Sequence, residues 1–349
     1  MARTAPKPVS APAPLRFPRF ILGVLAALLS LVAVAGCIAR ILPEQLQALP
    51  YVPNIVALTP WFAVIAAISL LCALGSRRWG VALLALACIG VQVWWQQPFF
   101  NASNRLSQAA IAAVSSANPN TDDAYLRVMT LNVYKGNADA QQIVEAVRDE
   151  RIEVLALQET TDSFVQSLED AGIHSYLPYS QVSSSDGVYG NGLWSATALG
   201  SPSDDDVDSS ASFMPGGTVT LNGGNSKLRF VSVHTTSPVQ GYWSQWRKSL
   251  DELAQLRSNT QYRYVFMGDF NATMDHTPFR NFLGNRFSDA AYQAGTGFTF
   301  TWPANHSGIP AFTAIDHVVM DTGIVAGQVS TRSISGSDHK ALLATLEVQ

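Results

Sequence analysis

Three long stretches of this chain carry no charged side chain: residues 20–39, 45–76 and 79–104. Each is long enough to cross a hydrocarbon core of about 30 Å as a helix, which takes about 20 apolar residues. Read as membrane spans, these stretches divide the chain from the outset; the alternative reading is buried helices of a soluble protein. Tyr51, Trp61, Trp79, Trp94 and Trp95 fall near the ends of the expected spans, where amphipathic rings favour the headgroup layer. The first stretch is too long for the apolar core of a secretory signal and two more follow it, so cleavage is not expected. The expected organisation is a disordered cytoplasmic tail over 1–19, a three-helix membrane region over 20–96, a linker over 97–123 and one soluble domain over 124–349.

Basic residues set the expected orientation. Arg3, Lys7, Arg16 and Arg19 lie in the tail and Arg77 and Arg78 in the second connection, whereas the first connection has Arg40 against Glu44. The positive-inside rule then puts the N-terminus in the cytoplasm, and three spans put everything beyond Gln96 outside. Charge divides the chain in the same way. Residues 1–120 hold eight Lys and Arg against one acid, a net +7, and residues 121–349 hold 14 against 25, a net −11. An acidic domain gains little from counterion release on a duplex, so nucleic acid is the less favoured partner. Cys37, Cys72 and Cys88 all lie in the apolar stretches, which leaves the soluble part without disulfide, thiolate metal ligand or cysteine nucleophile.

The soluble part alternates strand and helix signals. Apolar runs over 126–133, 154–157, 228–233, 264–267, 314–320 and 341–348 read as strands, and helical spacing over 139–150, 245–256 and 277–283 reads as helices, the first capped by Asn137. Residues 201–217, with Asp204, Asp205, Asp206 and Asp208, read as a solvated loop. Within the linker, 106–114 has some helical character, but a plain connection is the expectation.

Six polar signatures punctuate this pattern, each closing an apolar run: Leu131-Asn132, Gln158-Glu159, Val233-His234, Gly268-Asp269-Phe270-Asn271, Ile315-Asp316-His317 and Ser337-Asp338-His339. A single Asp or His after a strand is usually a turn former or a helix cap. A whole series of carboxylates, carboxamides and imidazoles at strand ends gathers chemistry at one edge of the sheets. Glu159 follows a run apolar on both faces, and a carboxylate there is costly unless it is paired or binds a cation. An oxygen-rich donor set suits Mg²⁺ or Mn²⁺. Asp269 and Asn271 lie two apart, so an extended backbone would turn both to one face, where they can act on one phosphate.

In this order the signatures resemble the endonuclease/exonuclease/phosphatase superfamily, the DNase-I-like fold, over residues 126–349. The resemblance implies an α/β (α+β) four-layer sandwich, two central β-sheets flanked by helices, preceded here by three transmembrane helices. It implies that Glu159 is the principal metal ligand, that Asn132 stands beside it and that Asp338 completes the metal shell directly or through water. By the same resemblance Asp269 orients and deprotonates the attacking water, and Asn271 hydrogen-bonds a phosphoryl oxygen. His339 is the catalytic imidazole held by Asp316, and His234 is a second imidazole on the phosphate side. Lys135 and Asn191 are candidate substrate contacts in neighbouring loops. Trp194-Ser195-Ala196 lacks the arginine of the Ser-Arg pair that many relatives carry, a departure from the nuclease pattern. His317 reads as structural, and His174, His276 and His306 carry no functional reading.

The function expected is metal-dependent hydrolysis of a phosphoester, by a phosphodiesterase or phosphatase outside the membrane, with a phosphorylated lipid or envelope molecule as substrate. The domain order also resembles membrane-anchored actinobacterial relatives associated with cell-envelope and glycopeptide-resistance functions. Two alternatives stay open: a membrane-anchored extracellular nuclease, and a non-catalytic binding module of the same fold.

Overall fold

A computed structural model describes residues 16–116 and 120–349, so most of the expected cytoplasmic tail lies outside the described residues. Five helices come first: α1 (Arg16–Ile41), α2 (Glu44–Gln47), α3 (Val52–Ala57), α4 (Thr59–Ser76) and α5 (Trp79–Gln96). Three helices are long and apolar enough to cross a membrane, over Pro18–Ile41, Thr59–Ser76 and Trp79–Phe100. The second is shorter than the charge-free stretch 45–76, because residues 45–58 fold into α2 and α3 instead.

The chain divides into two compact units. One comprises the described residues up to Cys37 together with Pro60–Trp94. Its helices meet through small residues, with Ala26, Ala73 and Ala82 in one cluster and Ala33, Ala66 and Cys88 in another. Gly36 lies against the Phe62 ring so closely that a Cβ there would stand 2.3 Å from it. Close approach of this kind holds helices together where lipid removes the hydrophobic drive. The Ser30 and Ser69 hydroxyls add a hydrogen bond of 2.8 Å inside the bundle.

The other unit comprises Ile38–Thr59 and Trp95–Gln349. Its remaining elements are, in chain order, α6 (Gln108–Val114), β1 (Tyr125–Asn132), α7 (Ala140–Asp149), β2 (Val154–Gln158), α8 (Asp162–Asp170), β3 (Tyr179–Ser183), β4 (Asn191–Ser195), β5 (Gly200–Ser203), β6 (Gly216–Leu221) and β7 (Ser226–His234). Then follow α9 (Trp243–Gln255), β8 (Tyr264–Asp269), α10 (Thr277–Leu283), β9 (Phe287–Asp289), α11 (Ala290–Ala294), β10 (Asp316–Asp321), β11 (Ile324–Ser333) and β12 (Lys340–Val348). They build two six-stranded sheets, ordered β11-β12-β1-β2-β4-β3 and β5-β6-β7-β8-β10-β9. Alternation along each strand sends one set of side chains between the sheets and the other set under helices. Leu126 and Val128 of β1 meet Phe230 and Val265 of the other sheet, whereas Met129 and Leu131 pack with Ile143 and Val147 of α7. Val231 and Phe266 likewise pack under Trp246, Leu250 and Phe279 of α9 and α10. The result is the expected four-layer sandwich.

Each sheet has one parallel pair at its centre, β1 with β2 and β7 with β8. A parallel pair ends on one edge, so Asn132, Gln158, His234 and Asp269 all finish there. The expectation that every signature closes a strand holds for these four only. Asp316 opens β10 and His339 immediately precedes β12, strands that run antiparallel to β8 and β1. An antiparallel strand must start at the edge where its neighbour stops, so the same six signatures still converge.

Other expectations change with the packing. α7 is capped by Asp139, whose carboxylate accepts from the Gln142 N–H at 3.1 Å, and not by Asn137. Within 201–217, Asp206 makes a buried bidentate pair with Arg229, at 2.6 and 2.5 Å, and Asp205 accepts from the Val207 and Asp208 N–H groups. That loop is organised by its own carboxylates, where a solvated segment was expected. The stretch 97–116, expected as a plain linker, is bound along this unit. Phe99 is buried against Tyr292, Ser107 N–H donates to Glu347 at 2.7 Å, and α6 inserts Ala110 and Val114. These are individual apolar anchors in a polar stretch, with too little periodicity to read as structure.

Candidate active site

The site is assembled from the backbone outward. Glu159 follows β2 with φ of 59°, which turns its carboxylate out of the strand path. Its Oε2 accepts from the Lys135 N–H at 2.9 Å and its Oε1 from the Asn132 carboxamide at 3.2 Å. The loop that brings Lys135 there passes through positive φ at Tyr134, Lys135 and Gly136. Non-glycine residues hold this conformation only where their surroundings impose it, and four such residues, Tyr134, Lys135, Glu159 and Asn271, meet at this site. Asn132 Nδ2 also donates to Asp269 Oδ2 at 3.2 Å, so one carboxamide ties together carboxylates carried by the two sheets.

Asp269 depends on the glycine before it. Gly268 has φ of 154°, and a Cβ there would fall 1.9 Å from the Val233 carbonyl oxygen, so only glycine lets β8 lie this close to β7. Asn271 reaches the same cavity as Asp269, but not by strand alternation as expected. Its N–H donates to Asp269 Oδ1 at 2.8 Å in an Asx turn, its own φ is 46°, and its Nδ2 donates to the Thr235 carbonyl at 2.9 Å. The second Nδ2 proton is left for a ligand.

Two imidazoles face Asp269. His339 Nδ1 donates to Asp316 Oδ2 at 2.8 Å, and its Nε2 stands 3.7 Å from Asp269 Oδ2 and 3.9 Å from Asp338 Oδ1. Burial alone would favour the neutral ring, but Asp316 and Asp269 outweigh it and hold the His339 pKa up to about 10. Those two carboxylates thus favour the charged ring. His234 donates Nδ1–H to the Val188 carbonyl at 3.0 Å, which aims Nε2 at Asp269 Oδ2, 3.7 Å away, and at Glu159 Oε1, 3.8 Å away. Asp269 is pushed up to about 6 by burial, against the pull of His339. Ser337 locks the assembly, accepting from the His339 N–H at 2.9 Å and donating to the Asn132 carbonyl at 2.7 Å.

Divalent-cation binding can be tested on the unpaired oxygens. Asp269, Asp316 and His339 lie within 4.8 Å of one another, but the Asp316–His339 hydrogen bond and the charge on His339 make that trio a proton-holding array. The fitting donors are Glu159 and Asp338. Asp338 Oδ1 is buried and accepts no hydrogen bond, and burial pushes its pKa up, against the pull of His339 3.9 Å away and with Glu159 adding to the rise. A divalent cation held by these carboxylates would relieve both effects. Asn132 Oδ1 accepts from the Tyr134 N–H at 2.9 Å and keeps one lone pair for such an ion.

Of the residues singled out in the sequence, Asn132, Lys135, Glu159, Asp269, Asn271, Asp338 and His339 line one cavity of about 250 Å³, with Asp316 buried behind His339. His234 opens on an adjoining cavity that shares Ser237 and Val239 with the first. Asn191 reaches neither. It is fully buried and donates to Ser212 and to the Phe213 carbonyl, while Ser212 donates to the His234 carbonyl at 2.7 Å, which makes it a support for the His234 strand. His317 is structural, bonded to Asp289 at 2.8 Å and to the Ala272 carbonyl at 2.9 Å. Trp302 was missed. It lines the cavity and donates to Asp338 Oδ2 at 3.4 Å, and the alternation Phe298-Thr299-Phe300-Thr301-Trp302 was the available sign of an extended segment.

A family model described as the Endonuclease/Exonuclease/phosphatase family matches residues 129–339. Among solved structures, a humanised TDP2 of D. rerio is similar at TM-score 0.54 and 16% identity, over 65% of this chain and 100% of that one. A truncated TDP2 of Caenorhabditis elegans follows at 0.52 and 16%, over 66% and 100%. An endonuclease/exonuclease/phosphatase family protein of Bacteroides thetaiotaomicron is similar at 0.53 and 13%, over 64% and 98%. No curated protein sequence matches the chain. The match spans both sheets and runs from Met129 to His339, and the chain belongs to the endonuclease/exonuclease/phosphatase family.

Proposed function

We propose that this protein is a divalent-metal-dependent phosphoester hydrolase that acts outside the membrane on a lipid-linked or envelope phosphate. The observation that carries the reading is Asp269. Its carboxylate is held by Asn132, lies 3.7 Å from the Nε2 of both His234 and His339, and has a pKa raised to about 6 by burial. A base of that strength can take a proton from water near neutral pH and stay ionised while it waits. Water positioned by Asp269 attacks phosphorus and gives its proton to Asp269, and a new P–O bond forms as the ester P–O bond breaks, the ester oxygen leaving as an alkoxide that takes a proton from solvent. The His339 imidazolium and the free Asn271 N–H stabilise the charge that accumulates on the phosphoryl oxygens. Asp316 keeps His339 charged and oriented. Glu159 and Asp338, with Asn132, would hold Mg²⁺ or Mn²⁺, which supplies Lewis-acid polarisation of the phosphoryl group.

Placement outside the membrane is supported by the basic flanks of the spans, and a lipid-linked substrate by three helices apolar enough to cross a bilayer. A D. rerio TDP2 structure contains a single-strand DNA product, so a nucleic acid substrate is the alternative outcome of the test. The test offers purified full-length protein, with Mg²⁺, vesicles carrying a lipid phosphate and, separately, plasmid and single-stranded DNA. Lipid hydrolysis that falls at least 100-fold in Asp269→Ala and His339→Ala, and vanishes with chelator, supports the reading. Cleavage of DNA alone would replace it with a nuclease, and undiminished activity in both variants would remove the mechanism.

A further inference from the structure

The cavity above Asp269 and His339 has one wall that neither sheet supplies. Pro53, Asn54 and Ala57 line it, and they belong to α3, in the connection between α1 and α4. That connection lies outside the residues matched by the family model. It is nevertheless part of the same compact unit as the sheets.

The residues that fasten it follow directly on the Gly268–Asn271 motif. Asp275, 3% exposed, accepts from Arg40 Nε at 2.6 Å and from the Gln96 carboxamide at 3.2 Å. His276 Nδ1 accepts from the Thr273 N–H at 2.8 Å, which leaves the ring proton on Nε2, donated to the Pro53 carbonyl at 2.9 Å. Burial keeps this ring neutral, with a pKa lowered to about 4, so it can serve one acceptor and one donor at once. Thr277 N–H donates to Gln47 at 2.7 Å, and Gln47, itself fully buried, donates to the carbonyls of Ala39 and Arg40 at 3.0 Å. Three consecutive residues behind the reacting carboxylate thus hold a wall contributed from more than 200 positions earlier.

We propose that this segment is a substrate-selecting wall of the active site, in which Pro53 and Ala57 receive an apolar group esterified to the phosphate. The cavity is amphipathic. Glu159, Asp269 and His339 form its charged floor, and Pro53, Ala57, Pro238, Val239 and Ile315 form apolar sides. A phosphate on the floor brings its substituent within reach of those sides. An aliphatic chain loses nothing there, whereas a sugar would leave hydroxyls facing carbon. α4 begins at Thr59, two residues beyond Ala57, so the wall is covalently continuous with a helix apolar enough to cross a bilayer.

This inference rests on the phosphoesterase reading and is tested separately from it. Full-length protein with Mg²⁺ hydrolyses a series of p-nitrophenyl alkyl phosphates, methyl to hexyl, and the readout is the ratio of kcat/KM between hexyl and methyl esters. Burial of methylenes raises kcat/KM about fourfold for each one that reaches the wall. Ala57→Trp fills the wall and flattens the series, and Asn54→Leu, at an exposed position on the same turn, steepens it. A flat wild-type series, or an Ala57→Trp series as steep as wild type, overturns the wall while leaving the hydrolase intact. Hydrolysis of no ester in the series sinks the phosphoesterase reading and the wall with it.

Discussion

Replacing Asp316 by Asn removes one charge interaction and leaves the shape of the site alone. Asp316 is 1% exposed, and its Oδ2 accepts the His339 Nδ1 proton at 2.8 Å. At a charge separation of about 4 Å and an effective dielectric constant of about 20, that pair is worth about 4 kcal/mol. At 1.36 kcal/mol per unit, this is about three units of pKa. His339, held at about 10 in the wild type, therefore drops to about 7 in the variant. A raised imidazole keeps its proton until pH passes the folded value, so wild-type His339 stays charged through pH 9. In Asp316→Asn the charge is lost as pH rises through about 7. If the imidazolium stabilises the reacting phosphate, wild-type kcat is level between pH 7 and 9, while the variant falls increasingly steeply above 7, to about one fiftieth at pH 9 relative to its own value at pH 7. Hydrolysis of bis(p-nitrophenyl) phosphate at saturating Mg²⁺ reads this directly. A variant profile parallel to the wild type across that range would refute the role assigned to the His339 charge, whatever the absolute loss.

Two further outcomes follow from burial and close approach. Glu153 lies under the end of β1, 6% exposed, and burial pushes its pKa up to about 8 from 4.5, so its protonated form is the one the fold accepts. A carboxyl raised in this way carries no penalty below its unfolded pKa of 4.5 and destabilises the fold progressively as pH rises from there to 8, where the penalty levels off at about 5 kcal/mol. Glu153→Gln should leave the melting temperature nearly unchanged at pH 4 and raise it at pH 9, and an equal shift at both values would contradict this. Gly268→Ala should fail to fold or lose more than about 3 kcal/mol, since its Cβ would lie 1.9 Å from the Val233 oxygen with φ of 154°. Wild-type thermal stability in that variant would mean that β7 and β8 are not so tightly apposed.

What the sequence reveals about this fold tracks burial on both faces. β1, β2, β7 and β8 sit at the sheet centres with helices over one side and the opposite sheet over the other, so they show as unbroken apolar runs. β3 and β5 lie at sheet edges, their residues are mostly exposed or partly exposed, and Tyr179–Ser183 and Gly200–Ser203 carry polar or small side chains that give no alternating signal. The site follows the same logic. Glu159, Asp269 and His339 stand out because a polar group beside a buried run must have a purpose or a partner. Strand direction does not stand out, and so Asp316 and His339 looked like strand ends when they are strand beginnings. His276 is the instructive failure. Taken alone it is one histidine in a loop, and its meaning lies in a carbonyl 223 residues away, at Pro53. No periodicity connects the two positions. The polar floor of the cavity is written locally, at the termini of six strands, whereas the α3 wall above it depends on a long-range contact that only the folded chain brings together, and that wall is therefore the part of the site that sequence motifs leave unread.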